Sequence, residues 1–120
     1  HGGVEGGNNM KTLPISGSIK MTGDSWKPGK RSGETNLALI DDPRGYRTMV
    51  TKIAPGPLGE MHAHDEIEQI YVIEGDFFDD DASYGPGDFV LRMPGAMHRA
   101  GSKNGCTMVI VYAPLVAGAA

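Results

Sequence analysis

The sequence has one cysteine, no long apolar run and no excess of basic residues, and each shortage excludes a class of protein. Cys106 alone cannot form an internal disulfide, so a reducing compartment, the cytoplasm, is expected. No apolar stretch approaches the ~20 residues that a membrane helix needs, which excludes a membrane-spanning protein of that kind. Acidic residues outnumber basic ones, 15 to 11, and this net charge of -4 argues against a nucleic-acid partner.

The chain does contain many turn-forming residues between short apolar runs. Its 120 residues include 18 glycines and 8 prolines, a spacing of breaks that favours a β-sandwich or barrel over a helical bundle. We predict a flexible leader over residues 1–11 and one all-β domain, a jelly roll or small barrel, over residues 12–120. Predicted strands include 12–21, 35–40, 46–54 and 69–73, and the clearest alternation runs from Cys106 to Tyr112.

The most informative stretch runs from Gly56 to Gly75. It contains His62 and His64 at i and i+2, followed by Glu68. On a β-strand, residues i and i+2 point to the same face, so the two imidazoles can reach one point. Imidazole nitrogens and a carboxylate are ligands that iron, manganese, nickel and zinc accept. The stretch therefore predicts a metal site on a strand.

A third imidazole is available at His98, after the Pro94–Gly95 turn. A strand that returns beside the first could bring His98 opposite His62 and His64. Three neutral histidines and Glu68 would leave two positions open on a six-coordinate divalent ion, enough for water, dioxygen or a bidentate substrate. The predicted ligand set is therefore His62, His64, Glu68 and His98.

These residues resemble the two motifs of the cupin superfamily. The first motif matches in register at Gly56, His62, His64, Glu68 and Gly75. The second matches at Gly87, Gly95 and His98, with Pro94 one place late and Ser102 where asparagine is usual. Further segments are similar to one small-cupin group that includes the cupin domains of zinc-binding anti-sigma factors and the acetylacetone-cleaving dioxygenases. These segments surround Trp26 and Pro28, Glu74–Asp79, Tyr84–Asp88 and Arg92–His98.

The resemblance implies a fold, a cofactor and a partner. It implies a double-stranded β-helix, one divalent metal ion held by the four predicted ligands, and often a homodimer. Iron is the first expectation for the metal, and manganese, nickel and zinc are the alternatives.

Other polar residues are candidates for contact with a small-molecule substrate. Tyr71, three residues after Glu68, is the candidate catalytic group that orients a substrate oxygen. The candidate substrate-binding residues are Arg47, Lys52, Arg92 and Tyr112. Asp65 and Glu66 are interpreted as solvated, and Asp79, Asp80 and Asp81 as an exposed hairpin tip.

Three functions fit these features. The leading hypothesis is a metal-dependent dioxygenase, using iron(II), that acts on an enolate or hydroxyketone. The second is a redox-neutral lyase, isomerase or decarboxylase in which the metal stabilises an enolate. The third is a non-enzymatic metal-binding sensor related to the anti-sigma cupins.

Overall fold

The computed structural model describes residues 9–21, 25–57 and 59–115, and its regular structure in those ranges is entirely β-strand. The eight strands are β1 (Lys27–Pro28), β2 (Glu34–Asp41), β3 (Arg47–Ile53), β4 (Glu66–Gly75), β5 (Phe77–Phe78), β6 (Ser83–Tyr84), β7 (Phe89–Arg92) and β8 (Cys106–Pro114). The all-β prediction is confirmed. No helix with the length and hydropathy of a membrane span occurs in these ranges.

Six strands form one antiparallel sheet in the order β1-β2-β3-β8-β4-β7. The sequence neighbours β3 and β4 are separated by β8, because the last strand of the chain inserts between them. The register of β8 aligns Tyr112 with Arg47 of β3 and with Glu68 of β4. The pairing of β4 with β7 then aligns Glu68 with Arg92. These four residues therefore form one row across β3, β8, β4 and β7, and directly paired residues project on the same face of a sheet.

A second layer faces this sheet and consists of β5, β6 and short bridged segments. Isolated antiparallel bridges join Gly56 to Ser102, His62 to His98, and Phe78 to Gly101. The segments before β4 and after β7 are thus held together although neither forms a long strand. This layer supplies the backbone on which the motif histidines lie.

The core lies between the layers and follows the period of two along each strand. In β8, Cys106, Met108, Ile110 and Tyr112 are buried, whereas the residues between them are half-buried. The β-branched and aromatic residues of this strand suit a pleated surface with one buried face. Burial, with Asp76 and Glu74 nearby, raises the pKa of the Cys106 thiol to about 11, so it remains protonated at neutral pH.

Gly75 ends β4 with a positive φ and in close contact with the backbone of Gly105, and both features favour glycine. Its φ is +77°, a region that residues with a Cβ adopt only at a cost. A Cβ there would also overlap the carbonyl oxygen of Gly105. Gly56, at the other end of the same motif, has no atom within 4 Å of such a Cβ.

One segment near the start of the described residues differs from the sequence-based expectation. None of the strands falls within residues 12–21, where Ile15 is fully exposed, so the edge strand predicted there is wrong. Residues 1–8 of the predicted leader, which was expected over residues 1–11, lie outside the described residues. Met10 is described, and its backbone bonds to Leu39 and Asp41 at 2.8 and 2.9 Å beside β2.

Candidate metal centre

Three histidines converge at the edge of the second layer. His62 and His98 exchange backbone hydrogen bonds of 2.8 and 2.9 Å, which brings their side chains together across 36 residues of sequence. His64 is fixed on the same side, since its carbonyl accepts a 2.9 Å hydrogen bond from the Gly95 amide. One ring nitrogen from each histidine lies within 4.8 Å of the other two. The site is therefore assembled from loop backbone next to β4, and the expectation that the histidines lie on a strand is wrong.

Backbone carbonyls orient two of the imidazole rings. Nδ1 of His62 lies 3.1 Å from the Glu60 carbonyl oxygen, and Nδ1 of His98 lies 3.2 Å from that of Ala96. Because a carbonyl only accepts, these contacts place the proton on Nδ1 and leave the Nε2 lone pair free. A neutral imidazole held by an oxygen partner in this way is the usual form of a metal ligand.

Glu68 approaches the cluster from the large sheet. It is 4% exposed, and its Oε2 accepts a 2.7 Å hydrogen bond from the Tyr112 hydroxyl. Its Oε1 is buried, has no hydrogen-bond partner among the described residues, and lies 3.7 Å from Nε2 of His98. A buried carboxylate oxygen without a partner is costly. A divalent cation would satisfy it, so this donor set fits a metal ion.

Arg92 lies on the other side of Glu68 and is bound to Asp79. Its Nη2 donates a 2.6 Å hydrogen bond to Oδ2 of Asp79, and the two side chains are 12% and 3% exposed. Burial lowers the pKa of His98, and the positive charge of Arg92 lowers it further, which favours the neutral imidazole that a metal requires. Burial works to raise the pKa of Asp79, but hydrogen bonds from Arg92, two backbone amides and Tyr84 lower it to about 2.

Arg47 ends the row on the side of β3, and it is paired with Glu66. Its guanidinium makes a two-pronged contact with the carboxylate, with Nη2 2.8 Å from Oε1 and Nε 3.1 Å from Oε2. It also lies 4.3 Å from the centroid of the Tyr112 ring, and the His64 ring meets that ring in a T-shaped contact at 5.4 Å. Burial and Glu68 raise the pKa of Tyr112, so its hydroxyl stays a donor.

Two of the substrate candidates lie away from this cluster. Tyr71 is 50% exposed, because a residue three positions after Glu68 on a strand projects to the opposite face. Lys52 is exposed on β3, where its Nζ lies 4.6 Å from the centroid of the Trp26 ring. Neither side chain lies at the histidine cluster, and the roles expected of Tyr71 and Lys52 toward a substrate stay predictions.

The other three candidates lie in the row beside the site, but each has a protein partner. Arg47 is bound to Glu66, Arg92 to Asp79, and Tyr112 to Glu68, as described above. The structure places all three beside the site, and their direct contact with a substrate stays a prediction.

Sequence reasoning missed the role of two carboxylates. The sequence indicated a solvated Glu66, yet this residue pairs with Arg47. Glu66 precedes Glu68 by two residues, and this spacing was the signal that both side chains project from the same face of β4. Asp79 was interpreted as part of an exposed hairpin tip, yet it is 9% exposed and bound to Arg92. The one sequence signal that separates Asp79 from the exposed Asp80 and Asp81 is that the family-like segment Glu74–Asp79 ends at it.

The chain resembles known proteins in sequence and in fold. A model of the ChrR Cupin-like domain family matches residues 17–116. A search of curated proteins found no match. Similar solved structures include a chain of the Rhodobacter sphaeroides SigE–anti-sigma ChrR complex, with a TM-score of 0.63 and 20% identity over 73% of this chain and 49% of that one.

Two further structures show the same architecture. An RmlC-like cupin from Shewanella frigidimarina has a TM-score of 0.67 and 20% identity, covering 81% of this chain and 91% of that one. Fe(II)-HppE, solved with the alternative substrate (S)-1-HPP, has a TM-score of 0.63 and 14% identity, covering 73% and 55%. The predicted double-stranded β-helix is thereby confirmed. The present chain spans about half the length of the SigE–ChrR chain that it matches.

Proposed function

The chain belongs to the ChrR cupin-like domain family, and from this premise we propose that it is a metal-dependent dioxygenase acting on a small substrate that chelates through two oxygens. The observation that carries the proposal is the bare, buried Oε1 of Glu68 beside the three converging histidines. Similarity of fold to an Fe(II) protein makes iron(II) our first choice, with manganese, nickel and zinc as alternatives.

In this proposal the protein residues hold the ion and shape access to it. His62, His64, His98 and Glu68 would be its ligands, and an ion bound there would supply a Lewis-acid and redox centre for oxygen donors. His98 and Glu68 are buried, whereas His62 is exposed, so substrate would enter from the His62 side. Tyr112 and Arg92 flank Glu68 and exclude water behind it.

The test is oxygen uptake by iron-loaded protein with β-diketones and hydroxyketones. The proposal expects uptake with at least one of these substrates and none with the His98→Ala variant, which lacks one ligand. Metal content of both proteins, measured by elemental analysis after purification without added metal, shows whether the ligand set is right independently of turnover. Metal binding without uptake on any substrate would reject the dioxygenase, and substrate loss that persists without oxygen would indicate a redox-neutral lyase, isomerase or decarboxylase.

A second candidate function is a metal-binding sensor that acts through a protein partner. Its support is the match to the ChrR cupin-like family and the similarity to a chain of a sigma–anti-sigma complex. Under this candidate, metal would change the affinity for a partner without turnover. Co-purification of a partner from its native cells, in amounts that depend on added metal, would favour the sensor over the enzyme.

We also propose that the protein is a cytoplasmic homodimer, formed through the outer face of β4 and β7. Five large apolar side chains on or beside these strands are 45–59% exposed: Tyr71, Ile73, Phe89, Leu91 and Met93. The half-buried Val109 and Val111 of the neighbouring strand β8 extend this apolar patch, and a stable interface buries ~800 Å² per partner. None of these seven side chains is charged, so two copies, each with net charge -4, could meet there without repulsion.

A further inference from the structure

The two arginines in the row with Glu68 and Tyr112 are both neutralised by carboxylates. Arg92 is bound to Asp79, and both side chains are almost fully buried. Arg47 is bound to Glu66, and these side chains remain 33% and 26% exposed. The first pair is enclosed in the fold, whereas the second faces the solvent side of the site.

The Arg47–Glu66 pair lies on the other side of the Tyr112 ring from the histidine cluster. Arg47 lies over one face of the Tyr112 ring, and His64 contacts the same ring, so one aromatic ring separates the guanidinium from a predicted ligand. Tyr112 in turn donates to Glu68, which connects Arg47 to a second predicted ligand. A guanidinium offers five donors that match carboxylate geometry, and here Glu66 occupies two of its nitrogens.

The charges around the centre can be counted from these contacts. A divalent ion brings two positive charges, Glu68 removes one, the three histidines are neutral, and each arginine–carboxylate pair contributes none. The centre therefore carries one net positive charge, which a single negative charge on a chelating substrate balances. A dianion would leave an uncompensated charge in a partly dry site, unless Arg47 were free to bind it.

We propose that Glu66 determines substrate charge: by holding Arg47, it makes the centre selective for monoanionic oxygen chelators, such as enolates, over dianionic ones. This inference rests on the metal centre of the proposed function, and it names the class of substrate. Glu66 is a specificity-determining residue rather than a ligand, and it acts through Arg47. Removing its charge converts Arg47 into a recognition group for a second carboxylate.

The test compares two bidentate probes of similar shape and different charge, pyruvate (−1) and oxalate (−2). Each is titrated into cobalt(II)-loaded protein while the visible bands of the metal are monitored, so the readout is equilibrium binding and needs no turnover. Because oxalate binds metals intrinsically better, the quantity compared is the ratio of the two Kd values in each protein. Glu66→Gln should shift this ratio about tenfold toward oxalate.

Matched variants separate the proposed cause from a general loss of negative charge. Glu74→Gln removes one carboxylate at the opposite end of β4, where Glu74 is exposed, and should leave the ratio unchanged. Glu66→Gln combined with Arg47→Gln should restore the wild-type ratio. An unchanged ratio in Glu66→Gln, or an equal shift in Glu74→Gln, would overturn the inference.

Failure of this inference and failure of the proposed function give different results. If the wild-type protein binds cobalt and both probes, but no substrate supports oxygen uptake, the dioxygenase is rejected while the charge ratio still tests Glu66. If the wild-type protein binds no cobalt, the metal centre fails and the inference fails with it.

Discussion

The hydrogen bond from Tyr112 to Glu68 gives the sharpest prediction about the centre. Tyr112 is 8% exposed, and its hydroxyl donates at 2.7 Å to Oε2 of the carboxylate. The bond leaves Oε1 as the only oxygen directed at the histidines without a partner. Tyr112→Phe keeps the ring, and with it the contacts to Arg47 and His64, and removes only the hydroxyl.

The expected magnitude follows from the charge and burial of the acceptor. A hydrogen bond to a charged group contributes about 1.5–3 kcal/mol, and its loss leaves a second buried carboxylate oxygen unsatisfied. We expect the metal-free variant to lose about 2 kcal/mol in free energy of unfolding, or roughly 5–10 °C in Tm. Metal affinity should fall by about 10- to 100-fold, since removal of a group that orients a ligand has that effect.

Two measurements check these values. Urea denaturation of metal-free protein gives the free energy of unfolding, with an unchanged m-value showing that the fold is kept. Competition with a chromophoric chelator gives the cobalt(II) affinity, and the cobalt spectrum reports whether Glu68 is still placed as a ligand. Tyr71→Phe is the matched control, because it removes the same hydroxyl from the exposed outer face of β4.

A positioning role and a purely structural role predict different outcomes. If Tyr112→Phe lowers Tm but binds cobalt within about twofold of the wild type, with the same spectrum, then the hydroxyl only stabilises the fold. If neither quantity changes, the bond between Tyr112 and Glu68 is not important in solution. Either result would refute the reasoning.

Three further predictions concern stability and association. The pKa of Asp79, lowered from 3.8 to about 2, corresponds to about 2 kcal/mol of stability. This contribution is present above pH 3.8 and is lost as the pH falls toward 2. Urea titrations at pH 7 should show that Asp79→Asn is less stable than the wild type by at least this amount, because Arg92 also loses its partner. The difference in stability should shrink below pH 3.8. Gly75→Ala should lower the free energy of unfolding by more than about 3 kcal/mol in the same measurement, because it combines a positive φ with a backbone clash. Gly56→Ala should change it by no more than about 1 kcal/mol, and equal losses in the two variants would contradict this account. Leu91→Lys should convert a dimer into a monomer in sedimentation equilibrium without loss of metal binding, and a monomeric wild type would reject the proposed interface.

The sequence by itself was enough for the parts of this protein that depend on local spacing. A period of two along β8 predicted the buried positions from Cys106 to Tyr112, because alternate residues of a strand project to the same face. The spacing of His62, His64 and His98 predicted that three imidazoles meet at one place, and the structure brings them together. That Glu68 joins them as a fourth ligand stays a prediction. Local spacing also indicates the outer face for Tyr71, because an odd number of residues separates it from the buried Glu68.

The tertiary structure decided which groups surround those ligands. Arg47, Tyr112, Glu68 and Arg92 form one row only because β8 inserts between β3 and β4 in a particular register. A shift of one residue would turn every one of these side chains to the other face, and no local signal specifies the register of strands so distant in sequence. The pairs Arg47–Glu66, Arg92–Asp79 and Tyr112–Glu68 join residues 19, 13 and 44 positions apart. The charges around the histidines depend on these long-range contacts. The sequence therefore predicted which histidines meet, whereas the fold decided which charged groups surround them.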